Sequence, residues 1–571
     1  MNSLLQATKK SCCHNLETAI KKIFQQQLPI SDSLLETPPD EKLGDFAFPC
    51  FALAKELKKS PVDIARALAD TMTKLPPEIA SVHATGPYVN FFVNPAVLAK
   101  KLLQEKKSQT KKRGAKIVIE YVSPNTNKPL HIGHARNAFL GDAVARMYEY
   151  LGNTVVRTCL VNDRGIHICK SMVAYQEDGA SATPTNTKKK GDHLVGDYYV
   201  LYNTILQKDP SIEERAKECL QKWETGDART RALWKKMNTW VLKGLNETYK
   251  RFGIAFDKTY LESDLYTHGK DIILKGFDTG AFKQDETGAV YADLEQFNLP
   301  NKILLRKDGT AIYITQDIYL AFQKWKEHKP SASLYVVASE QDMYFKQFFA
   351  VLKLLGVPYA DHLIHLSYGM VRLPGGKIKS REGTTADADA LLDELESMVT
   401  KEIVKREKDL NGAEVKKRAR AIALSAFKYF LLVVGPKSDM IFNPKESIAI
   451  HGKTGPYILY TYARLKSILR KSHAVTATFD NSYDFAAEKP LLKQILFFPH
   501  AIQEATTTTN PSLLANYLYS LAQSTNDYYH TTSVLKAGDT ERASRLLLIA
   551  KIADTLKEGL ALLGIHTIEK M

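Results

Sequence analysis

The stretch from residue 116 to residue 161 restricts the fold more than any other. An apolar run, KIVIEYVS (116–123), ends in SPNTNKPLHIGHARN, whose two prolines keep the residues before them extended and stop a helix from starting early. A helical stretch then reaches about Leu151 and stops at Gly152, and a second apolar run, TVVRTCLV (154–161), follows it. Strand, helix and strand at this spacing make a βαβ unit with a right-handed crossover. The unit predicts half of a doubly wound, Rossmann-like α/β sheet.

The remainder divides around this unit. Residues 1–112 read as a separate α/β domain, with a capped helix at SPVDIARALADTM (60–72) and a strand at GPYVNFFV (86–93). The basic stretch KKLLQEKKSQTKKRGAK (100–116) reads as a solvated connector. Residues 113–404 are expected to form the sheet domain, interrupted by a polar, helical insertion at about 180–295. In this reading the sheet resumes with AIYIT (311–315), SLYVVAS (333–339) and LIHLSYGMVRL (363–373), and residues 405–571 are helical throughout.

With 571 residues, three or four folding units are expected rather than one core. No apolar run approaches the roughly 20 residues of a membrane helix, and the N-terminus has no signal-peptide pattern, so no membrane partner is expected. Six cysteines without a CxxC pair point to a reducing, cytoplasmic setting. A net charge of +15 favours a polyanionic partner.

His131 and His134 stand three residues apart at a helix start, where free backbone N–H groups already favour an anion. Each imidazole offers an N–H to a phosphate oxygen, and Gly133 between them leaves room for a flat ring. Losing one such donor in a transition state costs about 2–4 kcal/mol. On the tetrapeptide alone, a zinc half-site, core packing and nucleotidylyl transfer stay open. No second ligand pair stands at zinc spacing, so no metal site is expected.

The longer string EYVSPNTNKPLHIGHARN (120–137) resembles the first signature of class I aminoacyl-tRNA synthetases, and of the arginyl-tRNA synthetases in particular. The resemblance continues in order through NDRGIHICKSM (162–172), GDHLVGDYYV (191–200), YITQDIYLA (313–321), GMVRLPGGKIKSREG (369–383) and TGPYILYTYAR (454–464), to LLGIHTIEKM at the end. It implies a class I catalytic core with an added N-terminal domain and an all-α anticodon-binding domain. It also implies ATP-dependent ligation of L-arginine to tRNA(Arg) through an arginyl-adenylate, releasing pyrophosphate and AMP. ATP would bring Mg²⁺ with it, no protein-bound zinc is expected, and the protein is expected to act as a cytoplasmic monomer.

The resemblance also assigns residues. His131, Gly133, His134, Met370, Val371 and Lys377 fall at ATP-binding positions, and Lys377, Lys379 and Arg381 lie on the second signature loop. That loop departs from the family-wide KMSKS, since Ser380 stands where the second lysine is usual; Lys128, before the histidines, is in the place thought to compensate. Glu120, Tyr313 and Asp317 fall where the arginine side chain would bind, and Ser123, Asn125 and Gln341 where its α-amino and carboxylate groups would. Tyr457, Tyr460 and Arg464 are candidate anticodon contacts, with Tyr88 and Asn90 assigned to the tRNA elbow. A silent tRNA-binding relative, or an enzyme for lysine or glutamine, would share much of this pattern.

Overall fold

The computed structural model describes residues 4–104, 114–310, 312–374, 386–472 and 479–571. The N-terminal unit pairs β1 (Phe46–Pro49), β2 (Ile79–Thr85) and β3 (Tyr88–Val93) in the antiparallel order β1-β3-β2. The helix Pro61–Thr71 covers this sheet. Its start is set as the residues suggest, by Pro61 in the first turn and by Ser60 Oγ accepting the Asp63 N–H at 3.2 Å.

The main sheet begins with β4 (Lys116–Glu120), β5 (Thr154–Val161) and β6 (Lys258–Leu261). A small antiparallel sheet intervenes, formed by β7 (Lys283–Gln284), β8 (Val290–Ala292) and β9 (Lys302–Leu305), before β10 (Ala332–Ala338) and β11 (Leu363–Tyr368) return. The five long-range strands run parallel in the order β11-β10-β4-β5-β6. The chain therefore winds outward in both directions from β4. The reversal lies between β4 and β10, and in open sheets of this kind ligands bind outside the strands' carboxyl ends at such a reversal. The consecutive apolar residues Ile117, Val118 and Ile119 of β4 are all buried, so the strand is covered on both faces, as a central parallel strand requires.

Three segments differ from expectation. The stretch 180–295 is not wholly an insertion, because β6 lies inside it and joins the main sheet beside β5. Its helices Gly191–Lys208, Ile212–Glu224 and Ala228–Phe252 form the inserted part. AIYIT is not a strand: Ala311 lies outside the described residues, Tyr313 is already in the right-handed helical region, and Ile314–His328 is helical. Ile314, Ile318 and Ala321 are all buried, so a 3.6-residue period outweighs the local β-branched composition. LIHLSYGMVRL is not one strand either. It breaks at Gly369, and β12 (Val371–Arg372) leaves the main sheet to pair in parallel with β13 (Met440–Ile441).

The C-terminal part is built from long helices, among them Gly412–Val433, Gly455–Lys471, Lys489–Thr507, Pro511–Thr531 and Asp539–Leu562. All six cysteines are buried and unbridged. No described helix is long and apolar enough to cross a membrane.

Candidate active site at the sheet reversal

His131 is the N-cap of the helix Ile132–Tyr150, and His134 is its third residue. The two side chains form a reciprocal cap: His131 Nδ1 accepts the Gly133 N–H at 3.1 Å, and His134 Nδ1 accepts the His131 N–H at 3.2 Å. A nitrogen that accepts carries no proton, so each ring holds its proton on Nε2 and presents that N–H away from the helix. The rings lie 3.8 Å apart, tilted by 38°. Gly133 matters because a Cβ there would sit 3.0 Å from the His131 ring. Burial, with the Lys128 ammonium adding to it, pushes His131 down to about 4. Burial and the His131 and Lys128 charges push His134 well below the usual histidine range. Both rings are therefore neutral donors near pH 7. Lys128 is half-buried, and burial lowers its own pKa.

The approach to the histidines is strained and clamped. Val122 and Ser123 have φ of +73° and +43°, a region that a β-branched residue enters only under constraint. The constraint is Asn137, buried in the histidine helix. Its Oδ1 accepts the Val122 N–H at 2.6 Å, while its Nδ2 donates to Val336 O of β10 at 2.6 Å and to the Tyr368 hydroxyl at 3.2 Å. Asn162 holds the following loop, its N–H donating to Pro124 O and its carbonyl accepting the Thr126 N–H. We expect Asn137→Ala to lower stability by about 1–3 kcal/mol, because the buried Val122 N–H is left unpaired. Thermal unfolding measures this; an unchanged melting temperature would show that the turn is held by other contacts.

A group of acidic side chains gathers near the end of β4. Glu120 ends β4 and is not the open acceptor expected of it, because its Oε2 receives Lys324 Nζ at 2.5 Å and that lysine is fully buried. Asp317, in the first turn of Ile314–His328, accepts a short hydrogen bond from the Tyr344 hydroxyl. Burial raises Asp317 to about 7; the Tyr344 hydrogen bond and Lys324 oppose this, and the nearby Glu120 charge adds to it. Glu262, just past β6, is likewise raised to about 7, mainly by burial, with Arg164 opposing. Tyr313 is exposed, near enough to Glu262 and Asp317 for their charges to bear on its hydroxyl. Gln341 follows β10, exposed, and opens the helix Asp342–Leu354; Asn125 is exposed and bridges to Asn162. Ser123 is partly buried at the strained turn.

Met370 is exposed, with its N–H on Asp439 at 2.8 Å, and Val371 is buried in β12. Lys377, Lys379, Ser380 and Arg381 lie outside the described residues. Arg136, fully buried, was not singled out by its sequence context. Its guanidinium donates to Gly369 O at 2.7 Å, Ser438 O at 2.9 Å and Gly435 O at 3.2 Å, tying the histidine helix to both partners of the β12–β13 pair. The same holds for Lys324, Tyr344 and Asn137: their partners are far away in sequence, and no local spacing signals them.

In the helical part, Tyr460 is exposed and lines a 410 Å³ cavity whose charged groups are Arg406 and Lys445 with Glu402 and Glu407. Tyr457 is partly buried and its hydroxyl accepts from Asn526 at 3.1 Å. Arg464 stacks over Tyr529 at 3.9 Å, and Tyr462 is core. In the N-terminal sheet, Tyr88 meets the exposed Phe51 edge-on at 6.1 Å. Asn90, by contrast, is buried in the central strand β3, so its side chain is not offered to a macromolecule.

Comparison with known proteins covers almost all of the chain. Residues 94–443 match the family model described as the class I (R) tRNA synthetase catalytic domain, residues 11–93 the arginyl tRNA synthetase N-terminal domain, and residues 458–571 the DALR anticodon-binding domain. An arginine--tRNA ligase of Treponema denticola is 43% identical over 93% of this chain and 92% of its own. One from Parabacteroides distasonis is 38% identical over 97% and 98%. The structure resembles an arginyl-tRNA synthetase of Thermus thermophilus with a TM-score of 0.83 at 28% identity, covering 99% of this chain and 100% of that one.

Proposed function

Because the chain belongs to the arginyl-tRNA synthetase family, whose reaction is ligation of arginine to tRNA(Arg), we propose that arginine and ATP meet at the reversal between β4 and β10, with the histidine pair on the phosphates and the acidic side chains on the guanidinium. The observation that carries this reading is the reciprocal histidine cap, which commits both Nδ1 atoms to the backbone and leaves each ring its Nε2–H to offer a phosphate at the helix start.

The arginine carboxylate oxygen attacks the α-phosphorus of ATP, the bond from that phosphorus to the bridging oxygen breaks, and pyrophosphate leaves. Charge builds on the phosphate oxygens in the transition state, and donors fixed beforehand stabilise it without reorganising. Mg²⁺ comes with ATP as part of the substrate. The 2′-hydroxyl of the terminal tRNA adenosine then attacks the adenylate carbonyl, loses its proton, and AMP departs. No side chain acts as a covalent nucleophile.

Side-chain recognition rests on charge and fork geometry. Lys324 already compensates Glu120, so Asp317 is the carboxylate left for the incoming cation, with Tyr313 and Glu262 beside it. Ser123, Asn125 and Gln341 are suited to the α-amino and carboxylate groups, Met370 and Val371 to the adenosine, and Lys377, Lys379 and Arg381 to the leaving pyrophosphate. The exposed ring of Tyr460 is suited to an unstacked anticodon base, worth about 1–3 kcal/mol by stacking. Tyr457 and Arg464 lie on the same helix, and Tyr88 with Phe51 offers an aromatic edge to the tRNA elbow. The buried free thiols support a cytoplasmic setting; a monomer without bound zinc is expected.

The test is ATP–pyrophosphate exchange with each amino acid, with and without total tRNA. Exchange confined to arginine supports the proposal, and exchange with lysine defeats the pocket assignment. A pH series adds a second check. Only ionised Asp317 pairs with a guanidinium. Because its carboxyl sits near 7 in the free protein, arginine affinity should fall as pH falls, by about tenfold from pH 8 to pH 6. Calorimetric titration measures it, and the slope should vanish in Asp317→Asn; a slope that survives there moves the titrating group to Glu262.

A further inference from the structure

The motif GDHLVGDYYV has no part in the site as described, yet its helix, Gly191–Lys208, lies directly against the histidine signature. A Cβ on Gly196 would come within 2.8 Å of Pro129 Cδ and 3.5 Å of Lys128 Cα, so only glycine lets this helix approach so near. The backbone of the signature is held from a second direction. Ile132 N–H donates to Ala386 O at 3.0 Å and Ala388 N–H to Leu130 O at 2.9 Å, which puts Asp387 opposite His131 in a short antiparallel bridge.

Asp387 joins these two supports. Its Oδ1 accepts the Ala390 N–H at 2.8 Å and caps the helix Ala388–Arg406, while its Oδ2 pairs with His193 Nε2 at 2.9 Å. His193 Nδ1 faces Asp192 Oδ1 at 3.3 Å, so both ring nitrogens meet carboxylates and the ring is an imidazolium. Hydrogen bonds to Asp192 and Asp387 raise its pKa to about 10 against the effect of burial. Asp192 is fully buried, and Lys190 Nζ reaches it at 2.9 Å while also reaching Asp389 at 2.6 Å and Thr248 at 2.5 Å. Arg251 completes the group, pairing with Asp389 at 3.0 Å and Asp393 at 2.6 Å. Lys189, Asp197 and Glu247 are the other charged groups on the 480 Å³ cavity beside His193. Asp192, His193 and Asp389 have the spacing of a metal site, but the Lys190 ammonium already stands between the two acids.

We propose that the start of the helix Gly191–Lys208 positions the histidine pair, with His193 and Asp387 as linked positioning residues that fix the backbone of His131 and hence the aim of its Nε2–H. This inference rests on the reading of the histidines given above. Neither residue touches substrate in this scheme. Their loss acts through His131 alone, and so bears on the chemical step more than on arginine or tRNA binding.

The test uses the full chain with His193→Gln, Asp387→Asn and the double variant. Asparagine retains an acceptor for the Ala390 N–H, so the helix cap survives while the ion pair is lost. Each single variant should lower the kcat of ATP–pyrophosphate exchange by about 10–100-fold, as small misplacements of catalytic groups do. The double variant should be no slower than the slower single. The KM for arginine and the Kd for tRNA should stay within about twofold of the parent, and His193→Lys, which keeps the charge, should recover part of the loss. An unchanged kcat, losses that multiply in the double variant, or losses that track a fall in melting temperature would each overturn the proposal. His134→Ala separates the two layers. If that change leaves exchange intact, the histidine reading itself is wrong; if it abolishes exchange while His193→Gln is silent, only the present inference fails.

Discussion

Replacing His134 with alanine is expected to slow ATP–pyrophosphate exchange by about 10²–10³-fold while tRNA affinity stays within twofold. His134 gives its Nδ1 to the His131 N–H and keeps its Nε2 proton for a phosphate, so alanine removes both the donor and half of the reciprocal cap. The loss should appear in kcat more than in the KM for ATP, because a neutral donor gains most as charge accumulates on the phosphate. His134→Asn discriminates between the two roles. An asparagine oxygen can restore the cap to the His131 N–H, and if that alone returned full activity, the ring's donor would have no catalytic part.

Asp317→Asn is expected to weaken arginine use by roughly 10²–10³-fold in kcat/KM, the scale on which removing one partner of a buried charge pair is felt. The amide still fits and still meets Tyr344, so the fold should tolerate it. Tyr344→Phe probes the same carboxylate from the other side. Without that hydroxyl Asp317 loses the hydrogen bond that stabilises its charged form, its carboxyl rises further, and the pH below which arginine binding fades should move up. Binding measured for arginine, lysine and citrulline would decide the assignment: equal losses for charged and neutral ligands in Asp317→Asn would remove Asp317 from the guanidinium.

Much of this arrangement was legible in the sequence. The βαβ unit, the capped helix at Ser60 and the placement of the histidines at a helix start all follow from local spacing and proline position. The reciprocal histidine cap was not, since HIGH alone does not say which nitrogen each ring commits. The pairing of Glu120 with Lys324 has no local signal, because 204 residues separate them. AIYIT read as a strand because Ile and Thr favour strands locally, while the helix is decided by burial of Ile314, Ile318 and Ala321 against other elements. β6 is four residues long and follows a 25-residue helix, so no run of apolar residues announced it. The strain at Val122 has no sequence signal at all, being imposed by Asn137 and tolerated only because Val336 and Tyr368 fix Asn137 in turn.

The tether made by Arg136 bears on how far this protein divides into parts. Its guanidinium spends its hydrogen bonds on three main-chain oxygens, one at residue 369 and two in the stretch 435–438 that leads into β13. A polypeptide ending before that stretch would keep the whole parallel sheet yet strand a sealed cation with a single acceptor, directly behind the histidines. The smallest autonomous catalytic piece is therefore expected to extend past residue 438, well beyond the last strand of its sheet, in keeping with a catalytic-domain match that runs to residue 443.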